Sequence, residues 1–227
     1  MSEQLALDLA HRVALGAGDF LLAPCNSDAV GWLDRWPDWP APALTVHGPA
    51  GSGKTHMAHV WQARSGARLL RPGDIASQAF SAFDSGNLCW IVDDVTPGFD
   101  EEAFLHFYNA VAEHGGHILI TARTPPSRWS LALADLRSRL TAAPAVAVGR
   151  PDDALLGGVL VKLFADRQLP VGPDVLTYLL ARMERSFPAA HRLVAALDRH
   201  ALAKRSRITV PLARDVLTTL SEDTNGE

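Results

Sequence analysis

Gly48-Pro49-Ala50-Gly51-Ser52-Gly53-Lys54-Thr55 has the form G-x-x-x-x-G-K-T, the spacing of a phosphate-binding P-loop. Its flanks supply the context that the motif needs. Leu44-Thr45-Val46 is an apolar strand candidate, and His56 to Gln62 is a helix candidate. The glycines let backbone amides converge on phosphate oxygens, and the start of a helix adds a favourable dipole. In such a loop Lys54 reaches the β- and γ-phosphates and the Thr55 hydroxyl ligates Mg2+. Pro49, Ala50, Gly51, Ser52, Gly53 and His56 complete the expected cradle. A glycine-rich turn with an incidental lysine is the bland alternative; the strand and helix on either side count against it.

A second apolar run, Leu88-Cys89-Trp90-Ile91-Val92, ends in Asp93-Asp94. This is the pattern of a buried parallel strand with acids at its C-terminal end, where ligands sit in open α/β sheets. Asp93 is the candidate to hold Mg2+, and Asp94 to orient or activate a water. Asp100 to His114 carries Phe104, Phe107, Tyr108 and Val111 at helical spacing, with acids in the first turn. Gly115-Gly116 ends that helix, and His117 to Thr121 forms the next strand. Leu131 to Leu140 is expected to be helical, and Val146-Ala147-Val148 a last strand. Strands near 67–70 and a helix near 74–84 fill the remaining gap. Strands and helices alternate from 44 to 148, which predicts a parallel α/β domain.

After Gly149-Arg150-Pro151 only helical periodicity remains, near 152–168, 173–185, 188–205 and 211–221. Before the P-loop, Ser27 is the expected N-cap of a helix ending near Arg35. Trp32, Trp36 and Trp39 follow among prolines and suit packing better than base stacking. The domains expected are a leader at 1–19, an α/β domain at 20–150 and a helical lid at 151–227.

The 227 residues carry a net charge of −4, 48% hydrophobic and 20% charged residues. There is no overall basic excess for coating nucleic acid. The two cysteines, Cys25 and Cys89, have no CxxC partner, so a reduced, cytoplasmic protein is expected. No run approaches the ~18 apolar residues of a membrane span, and no basic n-region opens the chain. In the leader, Gln4 precedes Leu5, Leu7 and Leu9, which alternate and share one side in extended form. They either fold back on the domain or dock on a partner.

A P-loop α/β domain followed by a helical lid is similar to the AAA+ ATPases, and the order of motifs resembles the DnaA family. Asp19 to Asn26 is similar to the segment that frames adenine there. The resemblance implies Phe20, Leu21, Leu22 and Asn26 as adenine contacts. Phe104-x-x-Phe107-Tyr108-Asn109, Ile118 to Thr121, Pro125-Pro126 and Leu136-Arg137-Ser138-Arg139-Leu140 follow the same family in sequence. It implies Asp93 and Asp94 as Walker B acids. It also implies Arg139 as an arginine finger, with Arg137 the runner-up. A finger offered in trans is worth roughly 10³–10⁵ in rate.

Gln4-Leu5-Ala6-Leu7-Asp8-Leu9 resembles the hexapeptide that binds the bacterial sliding clamp. Its combination with a chain ending soon after the lid resembles the Hda type of DnaA-related regulator. The resemblance implies a protein that acts with the DNA-loaded clamp to promote hydrolysis of ATP on DnaA, with no sequence-specific DNA binding. Its cofactors would be ADP or ATP with Mg2+, and self-association of finger to nucleotide is compatible with it. Two departures count against turnover by the chain itself. Arg123 stands where DnaA has an acid after its sensor strand. His191, beside Arg192, stands at the lid arginine that senses nucleotide. The rival expectations are an autonomous ATPase or helicase loader, and a DNA-binding initiator.

Overall fold

The computed structural model describes residues 21–77, 88–204 and 207–224. The leader with Gln4, Leu5, Leu7 and Leu9, together with Phe20 and most of the helix expected at 74–84, lies outside the described residues. The described chain divides into two compact units. One is Pro24–Gly149; the other joins Leu21–Ala23 to the chain from Arg150 onward.

The first unit is a parallel five-stranded sheet. Its strands are β1 (Ala43–His47), β2 (Arg68–Leu70), β3 (Cys89–Val95), β4 (His117–Ala122) and β5 (Ala145–Ala147). They lie in the order β2-β3-β4-β1-β5, every pair parallel. The strand sequences are continuous apolar runs because both faces are covered. Alternation sends Trp90, Val92, Ile118 and Ile120 into one cluster with Phe104, Phe107, Val111, Leu136 and Leu140. Those partners come from α3 (Glu101–Glu113) and α4 (Ala134–Ala142). Ile91 and Leu119 alternate to the opposite face, and α2 (Lys54–Ser65) packs against their strands β3 and β4. There Trp39 stacks on Trp61 at 5.4 Å, and Trp36 meets Trp61 edge-on at 6.0 Å. These tryptophans serve packing.

Three expected boundaries shift for local reasons. Helix α1 runs Ser27–Asp34 and starts one residue early, with Asn26 at the N-cap. The Val30 amide already bonds to the Asn26 carbonyl, and the Ser27 hydroxyl turns back to Pro24 O instead of capping. Helix α4 starts at Ala134, not Leu131, because the amides of Ala132 and Leu133 donate to the Glu101 carboxylate at 3.0 and 2.7 Å. Helix α6 (Pro173–Leu180) stops short of 185, where Met183 turns into the core.

The second unit holds α5 (Asp153–Asp166), α6, α7 (Phe187–Lys204) and α8 (Val210–Thr224). Leu156, Leu160 and Phe164 recur every fourth residue on α5 and pack with Leu179, Leu193, Leu197 and Val216. Asp152 caps α5 by accepting from the Leu155 amide at 2.8 Å. Buried Ser186 accepts from the Ala189 amide and opens α7.

Phe107 is fully buried, edge-on to Trp90 at 5.5 Å. Phe107→Ala should cost about 3–5 kcal/mol of stability, read by chemical denaturation; a loss below about 1 kcal/mol would mean that the face is poorly packed.

Candidate functional site

The site is built at the C-terminal edge of the three inner strands, β3, β4 and β1. The register pairs His47 with Ala122, and Ala122 with Val95. The chain therefore leaves β1 into the P-loop directly beside the end of β4, with the end of β3 one strand further on. The Gly48 amide donates to Ala122 O at 3.1 Å, and a Cβ at residue 48 would collide with the Val148 carbonyl. Gly51 and Gly53 have φ of 73° and 93°, values that an L side chain rarely adopts. The loop then feeds α2, whose first residue is Lys54.

Lys54 is buried, and its ammonium donates to Gly48 O at 2.9 Å and Pro49 O at 2.8 Å. The loop is thereby closed around a positive charge. Burial lowers the Lys54 pKa from its ordinary value; Asp94 and Asp93 oppose the shift, and Arg123 adds to it. The Ser52 hydroxyl is buried within the loop with no hydrogen-bond partner among the described residues. An orphaned hydroxyl, a helix N-terminus and a buried ammonium together form a cradle suited to phosphate. The Thr55 hydroxyl lies 3.3 Å from both carboxylate oxygens of Asp93. Hard oxygen donors so placed suit Mg2+.

Strand β3 carries a bulge at Asp93-Asp94. Val92 pairs with Ile120 but Val95 with Ala122, so β3 spends one residue more than β4 over that interval. Asp94 consequently sits at φ 53°, in the left-handed region. Bulges of this kind bend a strand and re-aim its side chains. Asp94 is exposed and Asp93 half-buried.

Arg123 is the exposed residue immediately beyond β4. His47 ends β1; burial, then Arg128, then Lys54 hold its imidazole below the ordinary 6.5. This edge is therefore richer in cations than the P-loop alone requires. Arg139 lies on α4, where its Nε donates to Asp135 Oδ1 at 3.1 Å. Both partners of that ion pair are substantially exposed, and such pairs are weak. Arg137 instead donates to Leu131 O at 3.3 Å. His56 is exposed on α2, and Asn26 is buried ahead of α1. Leu21 and Leu22 group with the helical unit, and there His191 is exposed on α7.

The structure thus brings the residues from Pro49 to Thr55, Asp93, Asp94 and Arg123 to one sheet edge. Thr121 stands at the polar exit of β4 expected to face this edge, but its contacts, and those of Glu101 elsewhere in the unit, escape a reading of motifs. Thr121, buried at the end of β4, bonds to the Asp93 carboxylate and to the Asp94 backbone amide. Glu101 holds the chain that leads into α4. The only sequence signal for the first is a hydroxyl closing the apolar run Ile118-Leu119-Ile120.

The fold and the loop define an AAA+ nucleotide-binding protein, and the comparisons with known proteins narrow this. Residues 158–217 match the family described as the Hda lid domain. The chain is 26% identical to the chromosomal replication initiator protein DnaA of Clavibacter sepedonicus over 207 residues, which takes in 79% of this chain and 43% of that protein. The DnaA of Clavibacter michiganensis matches to the same extent. The chain thus spans less than half the length of these curated relatives. Among solved structures, domain III of Thermotoga maritima DnaA superposes with a TM-score of 0.73 at 16% identity, covering 88% of this chain and 94% of that one. AMPPCP-bound DnaA from Aquifex aeolicus gives 0.61 at 17% identity, with coverages of 82% and 64%. Thermotoga maritima RuvB, a Holliday junction branch migration motor, gives 0.61 at 14%, with coverages of 79% and 62%. The chain is thus similar to DnaA proteins over most of its length, with the AAA+ fold and a lid that matches the Hda lid domain. Among the described residues, no helix is long and apolar enough to cross a membrane.

Two histidines of the α/β unit give a pH signature. His117 donates from Nε2 to Pro37 O at 2.9 Å; burial lowers its pKa, against the opposing effect of that bond. With His47 also lowered, the unfolded chain binds more protons than the folded one just below 6.5. Stability should therefore be full above 6.5 and fall as pH drops from there towards the folded values. Thermal unfolding across that window, compared with His117→Asn, checks this; a slope unchanged in the variant would contradict the part assigned to His117.

Proposed function

We propose that this chain is an Hda-type regulator of replication initiation, with a clamp-binding leader at 1–19, an AAA+ core at 20–150 and a lid at 151–227. The observation that carries the reading is the match of residues 158–217 to the Hda lid domain, behind a core whose curated relatives are DnaA proteins. In this reading the P-loop amides and Lys54 hold the phosphates of ADP or ATP, and Thr55 and Asp93 hold Mg2+. The metal neutralises charge on the phosphates. Asp94, exposed at the bulge, is assigned to orient a water. Phe20, Leu21, Leu22 and Asn26 are assigned to the adenine, and His191 to the phosphates from the lid.

The partner chemistry rests on two further assignments. Gln4, Leu5, Leu7 and Leu9 dock on the sliding clamp as an extended strand. Arg139 is the finger offered to ATP on DnaA. Its bond to Asp135 is exposed and weak enough to exchange for a phosphate, a doubly charged and better partner. Arg137 is already committed to Leu131 O, which favours Arg139 of the two. Arg123 and His191 depart from the residues of a self-sufficient DnaA-like engine. That suits a chain whose nucleotide sets its shape while hydrolysis occurs on the partner.

Reconstitution with DNA-loaded clamp and DnaA–ATP tests this. A finger is worth about 10³–10⁵ in rate, so Arg139→Ala should abolish stimulation of hydrolysis on DnaA while leaving nucleotide binding unchanged. Stimulation equal to wild type would sink the finger assignment. Separately, Gln4→Ala should weaken capture of the clamp in a pull-down; unchanged capture would remove the leader from the reading.

A further inference from the structure

The bulge at Asp93-Asp94 leaves a backbone amide without its ladder partner and turns two carboxylates towards the P-loop. A single hydroxyl answers both demands. Thr121 accepts a hydrogen bond from the Asp94 amide at 2.8 Å and donates its proton to Asp93 Oδ1 at 2.6 Å. A hydroxyl has one proton to give and lone pairs to receive, so the two bonds are mutually compatible and fix its rotamer. Thr121 is 1% exposed, so water does not readily substitute. Its strand neighbours are themselves fixed, by the pairing of Val46 with Thr121 and of Val95 with Ala122.

We infer that Thr121 is a positioning residue for the cation site, the hydroxyl that pins the bulge and so aims the Asp93 carboxylate at Thr55 and the nucleotide's Mg2+. The inference rests on the nucleotide-binding reading above. With Thr121 bonded to Oδ1, the carboxylate cannot rotate freely. The oxygens that meet the Thr55 hydroxyl at 3.3 Å are held in one orientation. The second bond, from the Asp94 amide to the same hydroxyl, supports Asp94 in its left-handed conformation. Hydrogen-bond partners of metal-holding side chains typically matter by about 10–100-fold in metal affinity. A hydroxyl shared by both acids falls in that class.

The test measures binding of a fluorescent ADP analogue to the full chain, in EDTA and across a Mg2+ titration. Thr121→Val keeps the volume and removes both bonds. It should lower the apparent Mg2+ affinity by about 10–100-fold and leave the affinity in EDTA unchanged. Thr121→Ser keeps the hydroxyl and should restore the wild-type titration. Thr121→Ala separates packing from hydrogen bonding, and the Ser–Ala comparison decides the matter if the Val variant does not fold. A Val or Ala variant that titrates with Mg2+ like wild type would overturn the inference. So would equal losses in EDTA and in Mg2+, which would make the role purely structural. A wild-type chain that binds nucleotide with no response to Mg2+ would also overturn it. No binding of nucleotide by wild type in either condition would instead bring down the reading on which it rests.

Discussion

The site depends on one geometric constraint: three parallel strands end side by side, and the middle one, β4, is bonded to both neighbours at its last residues. Ala122 accepts from the first P-loop amide, and Thr121 donates to the Asp93 carboxylate and accepts from the Asp94 backbone amide. The cradle and the carboxylates are therefore referenced to the same strand. A shift of one residue in the pairing of β4 would move Thr121 to the other face of the sheet and detach Asp93 from Thr55. The buried runs on both faces, with Trp90, Phe104 and Phe107 on one side and Trp39 and Trp61 on the other, make such a slip costly. Packing far from the phosphates thus holds the oxygen donors in place.

Several cationic groups gather at this edge. Lys54 is satisfied by two loop carbonyls, and Arg123 adds a second cation directly beyond β4. His47 and Arg128 stand within electrostatic reach of the same edge. Extra positive charge favours retention of an anionic nucleotide, whereas turnover also needs a correctly held water and release of product. Retention is what the proposed regulator requires of its own nucleotide.

Much of this was legible in the residues. The P-loop, the acid-terminated strand Leu88–Asp94 and the switch to purely helical periodicity after Pro151 each carry a local signature, so fold class and strand order of appearance follow from pattern. Boundaries set by a distant side chain were not legible. Nothing near Leu131 announces that Glu101, some thirty positions earlier, will claim its neighbours' amides, and helical spacing alone extends α4 too far. The bulge was hidden for a related reason: it exists only in the pairing of β3 with β4. Asp93 and Asp94 were visible as acids, but Thr121 acquires meaning only once those strands are laid side by side.

In the proposed function the hydrolysis that matters occurs on DnaA. The most direct measurement follows two nucleotide pools in one reconstitution with DNA-loaded clamp, with labelled ATP placed first on DnaA and then on this chain. The expected result is rapid conversion to ADP of the pool carried by DnaA, only when this chain is present, and slow turnover of the pool carried by this chain. Rapid turnover by the chain alone, lost in Lys54→Ala, with no effect on the DnaA pool, would contradict it and leave an autonomous ATPase in its place.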